Sequence, residues 1–400
     1  MNSSKVSQPS IPKSIWALGS VSFFMKISSV IVFSLSPLFL TKTLGASVFA
    51  IGILEGFIEA VALFTRLFSG IVSDYIHKRK KLIIIGYIFA LISRPLLGIA
   101  SNIGGVFLGR AFDRIGNGLD ATPRDALVGD LAPPQIKGAC YGLRESLSRA
   151  GSFVGGILLM VLLWYTYNNY SLVFWLGSIP TAIALIVLII FVKDPISEKF
   201  QNTTKRKLVS VKDIKSLPLS FWLVLLLSGL YMLSNFSGVF LIIRAEQTGL
   251  DIHLTPLVMV VQNFATSATA YPVGFLSDRM GRRSMMALGI LIVVISNIFL
   301  AMGGSIYIIL IGVLLWGAEM GIAQSILPVL VADSSPENVR GTGFGMFHLV
   351  NGICLITANP VSGWVWDHVG PSAMFYTSAG IAALSSLVLF FIPAKKVLKL

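Results

Sequence analysis

The sequence predicts an all-helical membrane protein with twelve transmembrane helices arranged as two similar six-helix halves. Three observations predict this fold class: the composition, the length of the apolar segments and an internal repeat. Hydrophobic residues occupy 55% of the 400 positions and charged residues only 12%, whereas ordinary globular chains have roughly 45–50% and 25%. We therefore expect lipid to surround much of the surface.

The apolar segments are long enough to cross a membrane as helices. A hydrocarbon core of about 30 Å requires about 20 helical residues. The fourth segment is the most polar, because Arg110, Asp113, Arg114 and Asp120 interrupt it. In chain order, the predicted spans are 15–41, 48–73, 82–100, 104–122, 138–165, 171–192, 220–243, 254–277, 284–301, 307–331, 342–366 and 371–392.

Two short motifs occur twice, about 200 residues apart. Gly70-Ile-Val-Ser-Asp74 returns as Gly274-Phe-Leu-Ser-Asp278. Farther on, an Asp-x-x-Pro motif at 130–133 returns at 333–336, each time followed by a basic residue and glycine. Each copy lies in a connection between apolar segments, which is the organisation of a secondary transporter. The substrate site is then expected between the halves.

The repeat and the polar segments predict the organisation of the whole chain. We expect a cytoplasmic N-terminal tail at 1–14, a first half at 15–193 and a cytoplasmic linker at 194–217. A second half at 218–392 and a cytoplasmic C-terminal tail at 393–400 follow. One chain is sufficient to form such a path, so we expect a functional monomer.

The net charge of +13 is distributed asymmetrically. Lys and Arg concentrate in 77–81, 193–215, 279–283 and 395–399, whereas the connections 101–105, 167–171 and 303–305 contain neither. This is the positive-inside pattern, and it predicts that both termini are cytoplasmic. The same distribution argues against a nucleic-acid partner and makes the lipid bilayer the expected surrounding.

The second copy of the first motif has a simple physical logic. Gly274 permits close helix approach, Asp278 can cap a helix N-terminus, and Gly281 allows a turn with positive φ. Arg279 and Arg282 hold the connection at the anionic cytoplasmic face. This connection, the span count and the duplication resemble the major facilitator superfamily of the bacterial inner-membrane type, over the whole chain. The resemblance implies a gating loop at Gly70, Asp74, Gly274, Asp278, Arg279, Gly281 and Arg282.

The chain departs from the family pattern in three places. In the first copy, Tyr75 stands where a basic residue is usual and His77 where the turn glycine is usual. Arg110 is followed by Gly116 and Gly118, so the family's fourth-helix motif is only partly present. The fifth span has glycines at 151–156 without the proline of the antiporter motif, which weakens a drug-efflux interpretation.

Acidic residues inside the spans are candidates for proton coupling. A charge at mid-bilayer costs about 2.5–3.5 kcal/mol, so it needs a partner, an aqueous cavity or a function. Glu55, Glu59 and Asp113 in the first half and Glu319 in the second are the candidates. For the first three, a structural ion pair is an equal alternative. Asp120, Arg144 and Glu145 are expected to form structural ion pairs, and Glu145 and Arg149 are four residues apart on one helix face.

Cations and amides inside the spans are candidates for substrate binding. Cations outnumber the deeply placed acids in the first half, which favours an anionic or carboxylate-bearing solute. The candidates for substrate binding are Lys26, Arg94, Arg110, Arg114, Arg149, Gln262, Asn263 and Asn351.

These features predict secondary active transport of a small organic solute. The sequence has no nucleotide-binding motif, and buried carboxylates are the usual carriers of protons. We expect a proton-coupled transporter of an anionic metabolite or a carboxylate-type siderophore; the alternative is a proton-coupled multidrug or metabolite efflux pump. The scattered histidines and the missing nucleophile motif argue against an enzyme, a cofactor or a metal site.

Overall fold

The computed structural model describes residues 11–76, 79–133, 136–192, 217–335 and 340–391. In these residues every regular element is helical and no strand occurs, so the predicted all-helical class is confirmed. Most of the predicted linker and of both tails lies outside the described residues, as do His77 and Lys78.

Fourteen α-helices occur in the described part of the chain. A π-helical turn, Phe39–Thr43, extends the first of them. The helices are α1 (Lys13–Leu38), α2 (Val48–Ile76), α3 (Arg79–Gly98), α4 (Ile103–Leu131), α5 (Lys137–Tyr165), α6 (Tyr170–Leu176), α7 (Ser178–Phe191), α8 (Leu219–Leu233), α9 (Val239–Gln247), α10 (Leu257–Met280), α11 (Arg282–Met302), α12 (Ile306–Ser334), α13 (Arg340–His368) and α14 (Pro371–Phe391).

Nine helical segments among the described residues are long and apolar enough to cross a membrane. They coincide with nine of the twelve predicted spans, so a multi-pass membrane protein is supported. The remaining three predicted spans are also helical. The fourth corresponds to α4, whose many charges lower its hydropathy, and the eighth corresponds largely to the 24-residue α10. The seventh is interrupted.

The interruption of the predicted seventh span lies between α8 and α9. A single span was expected at 220–243, but the helix stops at Leu233 and resumes at Val239. The intervening sequence, Ser-Asn-Phe-Ser-Gly, is rich in residues whose side chains compete with helical hydrogen bonds. Ser237 N donates to Asn359 Oδ1 at 2.8 Å and Ser237 Oγ donates to Glu55 Oε2 at 2.9 Å. Asn359 thus replaces the backbone acceptor that a continuous helix would supply to Ser237 N, and Glu55 holds the hydroxyl group of the same residue.

Three other helices begin at residues whose side chains cap them. Asn102 Oδ1 accepts a hydrogen bond from Gly105 N at the start of α4, and Asn169 Oδ1 accepts one from Leu172 N at the start of α6. Ser305 Oγ does the same for α12. Such caps satisfy N–H groups that the first turn leaves without a partner.

The helices form two compact units. Residues 33–60 and 163–168, which the repeat assigns to the first half, belong to the second unit. The first unit comprises the described residues of Met1–Val32, Val61–Leu162 and Asn169–Thr203, and the second those of Phe33–Ala60, Leu163–Asn168 and Thr204–Leu400.

Close helix packing in the first unit depends on glycine. A Cβ atom added at Gly116 of α4 would meet the carbonyl oxygen of Gly86 in α3 at 2.5 Å, and one at Gly155 of α5 would meet that of Ile27 in α1 at 2.9 Å. These helices therefore form a rigid support for the charged side chains they carry. The apolar core beside them includes Ile15, Leu18, Val21, Ile83, Tyr87, Leu127, Val128, Cys140, Ala184 and Leu188.

In the second unit, the first part of α2 is fixed to α13. A Cβ atom added at Gly52 would meet the carbonyl oxygen of Asn359 at 2.5 Å. Asp367, near the end of α13, accepts hydrogen bonds from Val48 N at 3.3 Å and Phe49 N at 2.7 Å. A carboxylate at this position caps α2 and interacts favourably with its N-terminal dipole. This contact accounts for the membership of residues 33–60 in the second unit.

Candidate functional site

Lys26 lies near the middle of α1, about 20 Å along the helix axis from Lys13. Its side chain is exposed. Its ammonium group makes no hydrogen bond or ion pair with any described residue. The side chains that act on it electrostatically include Arg114, Arg124, Arg149, Glu145 and Asp120. Lys26 is therefore an available cation in surroundings that are themselves mainly cationic.

A chain of alternating charges, which we call the α4–α5 ladder, connects α4 with α5. Its members in order are Asp120, Arg124, Asp125, Arg144, Glu145 and Arg149. Arg144 Nη2 bridges the two helices, because it lies 3.3 Å from Asp125 Oδ1 and 3.3 Å from Glu145 Oε2. At the end of the ladder, Arg149 Nε donates to Glu145 Oε1 at 2.9 Å. The ion pairs predicted for Asp120, Arg144 and Glu145, and the pairing of Glu145 with Arg149, are confirmed.

The first unit thus has an excess of positive charge at this place. Lys26 and Arg114 add two cations to a ladder that contains three arginines and three carboxylates. Among the described residues of this group, five carry a positive charge and three a negative one. Arginine and lysine groups arranged in this way can bind a carboxylate through charge-assisted hydrogen bonds.

Arg94 and Asp113 form a buried ion pair in the first unit. Arg94 is 0% exposed, and its Nη1 donates to Asp113 Oδ1 at 2.8 Å. Arg94 Nε also donates to Ser28 Oγ at 2.8 Å, and Asn117 Nδ2 donates to Asp113 Oδ2 at 3.1 Å. The pair joins α1, α3 and α4. The charges of both residues are compensated in this conformation.

Two further arginine candidates lie on α4 beside this pair. Arg110 is 1% exposed, and Arg114 is partly exposed. Since Arg114 acts electrostatically on Lys26, it belongs to the positive region around the ladder. Arg110 lies one helical turn from Asp113 on the same helix.

Glu319 in α12 is the most isolated of the candidate acids. It is 0% exposed, and neither carboxyl oxygen has a hydrogen-bond partner among the described residues. The helix that carries it packs tightly against α10, because a Cβ atom added at Gly321 would meet the carbonyl oxygen of Thr266 at 2.7 Å. A carboxylate anion in such a place costs several kcal/mol, so Glu319 can carry a charge only when its surroundings change.

The amide candidates in the second unit each make a hydrogen bond, two to side chains and one to a backbone carbonyl. Gln262 Nε2 donates to Met320 Sδ at 3.4 Å, while its Oε1 has no partner among the described residues. Asn263 Nδ2 donates to Met259 O at 2.8 Å. Asn351 Oδ1 accepts a hydrogen bond from Ser228 Oγ at 2.7 Å.

Glu55 and Glu59 differ in their surroundings on α2. Glu55 is 2% exposed and accepts a hydrogen bond from Ser237 Oγ at the interruption between α8 and α9. Glu59, one turn later, is partly exposed. Both residues belong to the second unit.

The proposed gating-loop residues lie at helix ends. Gly281 separates α10 from α11 and has φ 88°, as expected for a turn that requires glycine. Arg282, the first residue of α11, pairs with Asp333 of α12. The remaining residues are helical: Gly70 and Asp74 in α2, and Gly274, Asp278 and Arg279 in α10.

The structure therefore places the candidates in two separate groups. Glu55, Glu59, Glu319, Gln262, Asn263 and Asn351 belong to the second unit. Lys26, Arg94, Arg110, Asp113, Arg114 and Arg149 belong to the first.

Sequence reasoning missed Arg124 and Asp125 of the ladder. The fourth span predicted from hydropathy stops at residue 122, whereas α4 continues to Leu131. The spacing of Asp120 and Arg124, four residues apart, would have indicated their contact on one helix face.

Comparisons with known proteins agree with this architecture. The family model of the Major Facilitator Superfamily matches residues 18–245 and 230–399. An uncharacterized MFS-type transporter of Methanocaldococcus jannaschii is 27% identical over 392 residues, which covers 96% of this chain and 95% of that protein. The galactose-proton symporter of Escherichia coli K12 is 23% identical over 158 residues, which covers 37% of this chain and 32% of the symporter.

A solved structure has the same fold. The crystal structure of the nucleoside transporter NupG superposes with a TM-score of 0.77 at 15% sequence identity, covering 94% of this chain and 98% of that one. At this identity the likeness concerns the fold alone. Since the family model covers nearly the whole sequence, the chain belongs to the Major Facilitator Superfamily of membrane transporters.

Proposed function

We propose that this protein is a proton-coupled secondary transporter of a small anionic organic solute, an anionic metabolite or a carboxylate-type siderophore, working by alternating access. The observation that carries the proposal is the unpaired Lys26 beside the positive α4–α5 ladder. A lysine at mid-bilayer costs about 2.5–3.5 kcal/mol. Glu145 and Asp120 act on Lys26 electrostatically, but no described residue forms an ion pair with its ammonium group. In a transporter, a bound anionic solute would neutralise the charge of Lys26.

The geometry around Lys26 favours a carboxylate. Arg149, four residues after Glu145 on α5, is 42% exposed at its side chain. Lys26 and Arg114 come from two other helices, so a bound group would be contacted from several sides. A planar guanidinium can bind a carboxylate with two parallel hydrogen bonds.

Proton coupling rests on Glu319. A fully buried carboxyl group without a hydrogen-bond partner among the described residues exchanges its proton only after its surroundings have changed. It therefore connects proton binding to a conformational step, as a coupling residue must. Similarity of part of the chain to a galactose-proton symporter supports proton coupling in general, without pointing to a residue.

The remaining parts of the proposal concern topology. A helical path of twelve spans in two halves, with both termini in the cytoplasm, follows from the repeat and the positive-inside pattern. The protein would act as a monomer in the cytoplasmic membrane. The alternative is a proton-coupled multidrug or metabolite efflux pump, for which a lipophilic cation is a suitable probe because aromatic side chains such as the buried Phe236, Trp316 and Phe375 of the second unit can contact one.

A ligand-stabilisation experiment separates the two functions. The purified full-length protein is melted with carboxylates such as succinate and citrate, and with the lipophilic cation tetraphenylphosphonium. A ligand at 100 times its Kd stabilises by about 2.7 kcal/mol. We expect stabilisation by carboxylates that disappears in Lys26→Gln and persists in Lys81→Gln, a matched variant at an exposed lysine of α3.

The opposite pattern would contradict the proposal. Stabilisation by tetraphenylphosphonium alone, unchanged in Lys26→Gln, would favour the efflux function. Stabilisation by carboxylates that is equal in both lysine variants would remove Lys26 from the site.

A further inference from the structure

Glu145 lies among the cations to which the proposed anion would bind. Its Oε1 accepts a hydrogen bond from Arg149 Nε at 2.9 Å, and its Oε2 lies 3.3 Å from Arg144 Nη2. Lys26 of α1 acts on it electrostatically. Its side chain is 48% exposed and that of Arg149 is 42% exposed, so the protein does not enclose this pair.

The other ladder carboxylates have different surroundings. Asp120 is buried and pairs with Arg124 on its own helix. Asp125 bridges Arg124 and Arg144. Glu145 alone among these three is paired with Arg149. It acts on Lys26, as Asp120 also does.

We propose that Glu145 is an internal anion that competes with the transported solute for Arg149 and Lys26, and that it binds a proton when the solute replaces it. This assignment rests on the proposed transport of an anion. It gives the solute site its own proton-binding group. Glu319, in the second unit, has no part in this binding step.

The charges balance in this exchange. Without solute, the Glu145 carboxylate compensates Arg149. When a solute carboxylate binds Arg149, Glu145 loses that partner and acquires a neighbouring negative charge, which favours its neutral form. One proton from water then binds a Glu145 oxygen, so that one monoanionic group and one proton arrive together without net charge, and both leave in the reverse step.

The charged groups around Glu145 come from three helices. Arg144 and Arg149 of α5 and Lys26 of α1 act on it directly. Asp125 of α4 pairs with Arg144, which in turn contacts Glu145. Arg114 and Arg124 of α4 act electrostatically on Lys26, which acts on Glu145. Guanidinium groups keep their protons in proteins, so a proton taken up with the solute binds either Glu145 or Lys26, and the Glu145→Gln variant decides between them.

The test measures proton uptake during binding. Succinate is the probe, at about pH 7.5, where it is fully ionised. Titration calorimetry of the full-length protein in two buffers with different ionisation enthalpies gives the number of protons bound with each succinate. We expect uptake of about one proton in the wild type, and none in Glu145→Gln.

The variant should also bind the probe more tightly. Removing a competing exposed ion pair corresponds to a Kd about two- to fivefold lower. The matched control is Glu246→Gln, which removes an ion pair with Lys42 in the second unit and should leave both quantities unchanged. Because exposed ion pairs contribute little to stability, Glu145→Gln is expected to fold.

Two results would overturn the assignment while leaving anion transport in place. One is succinate binding by the wild type without proton uptake, which needs no variant to interpret. The other is unchanged proton uptake or weaker binding in Glu145→Gln. If the wild type binds tetraphenylphosphonium and neither succinate nor citrate, the proposed anion site itself is rejected, and the role of Glu145 with it.

Discussion

Arg79 Nη1 lies 2.5 Å from Asp130 Oδ2 and thereby joins the start of α3 to the end of α4. In the second unit, Arg282 at the start of α11 pairs with Asp333 at the end of α12. The two pairs have the same sequence separation, and the aspartates belong to the repeated Asp-x-x-Pro motif. The repeat in the sequence therefore corresponds to a repeated ion pair in the structure.

These pairs predict a matched set of stability effects. All four side chains are between 15% and 32% exposed, so the pairs are only partly screened by solvent. We expect Asp130→Asn and Asp333→Asn each to destabilise the protein by about 1 kcal/mol, measured by thermal unfolding in detergent. Exchanging the charges in Arg79→Asp/Asp130→Arg should recover part of the loss. A double-mutant cycle with no coupling energy would show that the pairs are incidental.

Much of the helical architecture could be predicted from the sequence. Long apolar segments identify helices because length and composition are local properties. The interruption between α8 and α9 was missed, since it depends on Glu55 and Asn359 binding Ser237 from distant parts of the chain. A hydropathy profile contains no information about contacts between residues far apart in the chain.

The candidate site was predicted less completely. The pairing of Glu145 with Arg149 follows from helical spacing, and the structure contains it. The pairing of Arg94 with Asp113 joins two helices, so spacing along one helix could not reveal it. Because Arg94 is already paired with Asp113, Lys26 is the better candidate to bind a solute.

The buried pair of Arg94 and Asp113 predicts a large stability effect. Arg94→Gln would leave the Asp113 carboxylate buried without its cation, which costs about 3–5 kcal/mol. The double variant Arg94→Gln/Asp113→Asn should be less destabilised than the single one, because no uncompensated charge remains. Yield of monodisperse protein and its melting temperature measure both effects. Normal stability of Arg94→Gln with loss of carboxylate binding would instead assign Arg94 to the solute site.

The contacts of Arg244 in α9 predict a further stability effect, in the second unit. Its Nε donates to Leu300 O at 3.0 Å and its Nη2 donates to Ala301 O at 3.0 Å. The guanidinium thus satisfies carbonyl groups that the end of α11 leaves without helical partners. We expect Arg244→Gln to lower stability by about 1–3 kcal/mol.

Lysine should not replace Arg244 fully, because a single ammonium group lacks the fixed fork of donors. We expect the melting temperature of Arg244→Lys to lie between those of the wild type and Arg244→Gln. A melting temperature equal to that of the wild type in Arg244→Gln would mean that the carbonyl contacts contribute nothing measurable.

Glu319 predicts a separation of proton-driven accumulation from exchange. Since neither oxygen has a partner among the described residues, the neutral amide in Glu319→Gln fits the same space without losing a hydrogen bond, and we expect the variant to fold. In proteoliposomes with an imposed pH gradient, each pH unit supplies about 1.4 kcal/mol per proton, or about tenfold accumulation. The wild type should accumulate labelled succinate. Glu319→Gln should still exchange it across the membrane but accumulate less of it, because only the proton bound at the solute site then remains coupled to transport.

Two variants complete this measurement. Glu246→Gln, at an ion pair with Lys42, controls for reconstitution and should accumulate succinate as the wild type does. Glu55→Gln tests the other buried acid, which accepts a hydrogen bond from Ser237. If Glu55→Gln loses accumulation while Glu319→Gln retains it, the coupling proton binds Glu55 of α2. The burial of Glu319 would then serve helix packing alone.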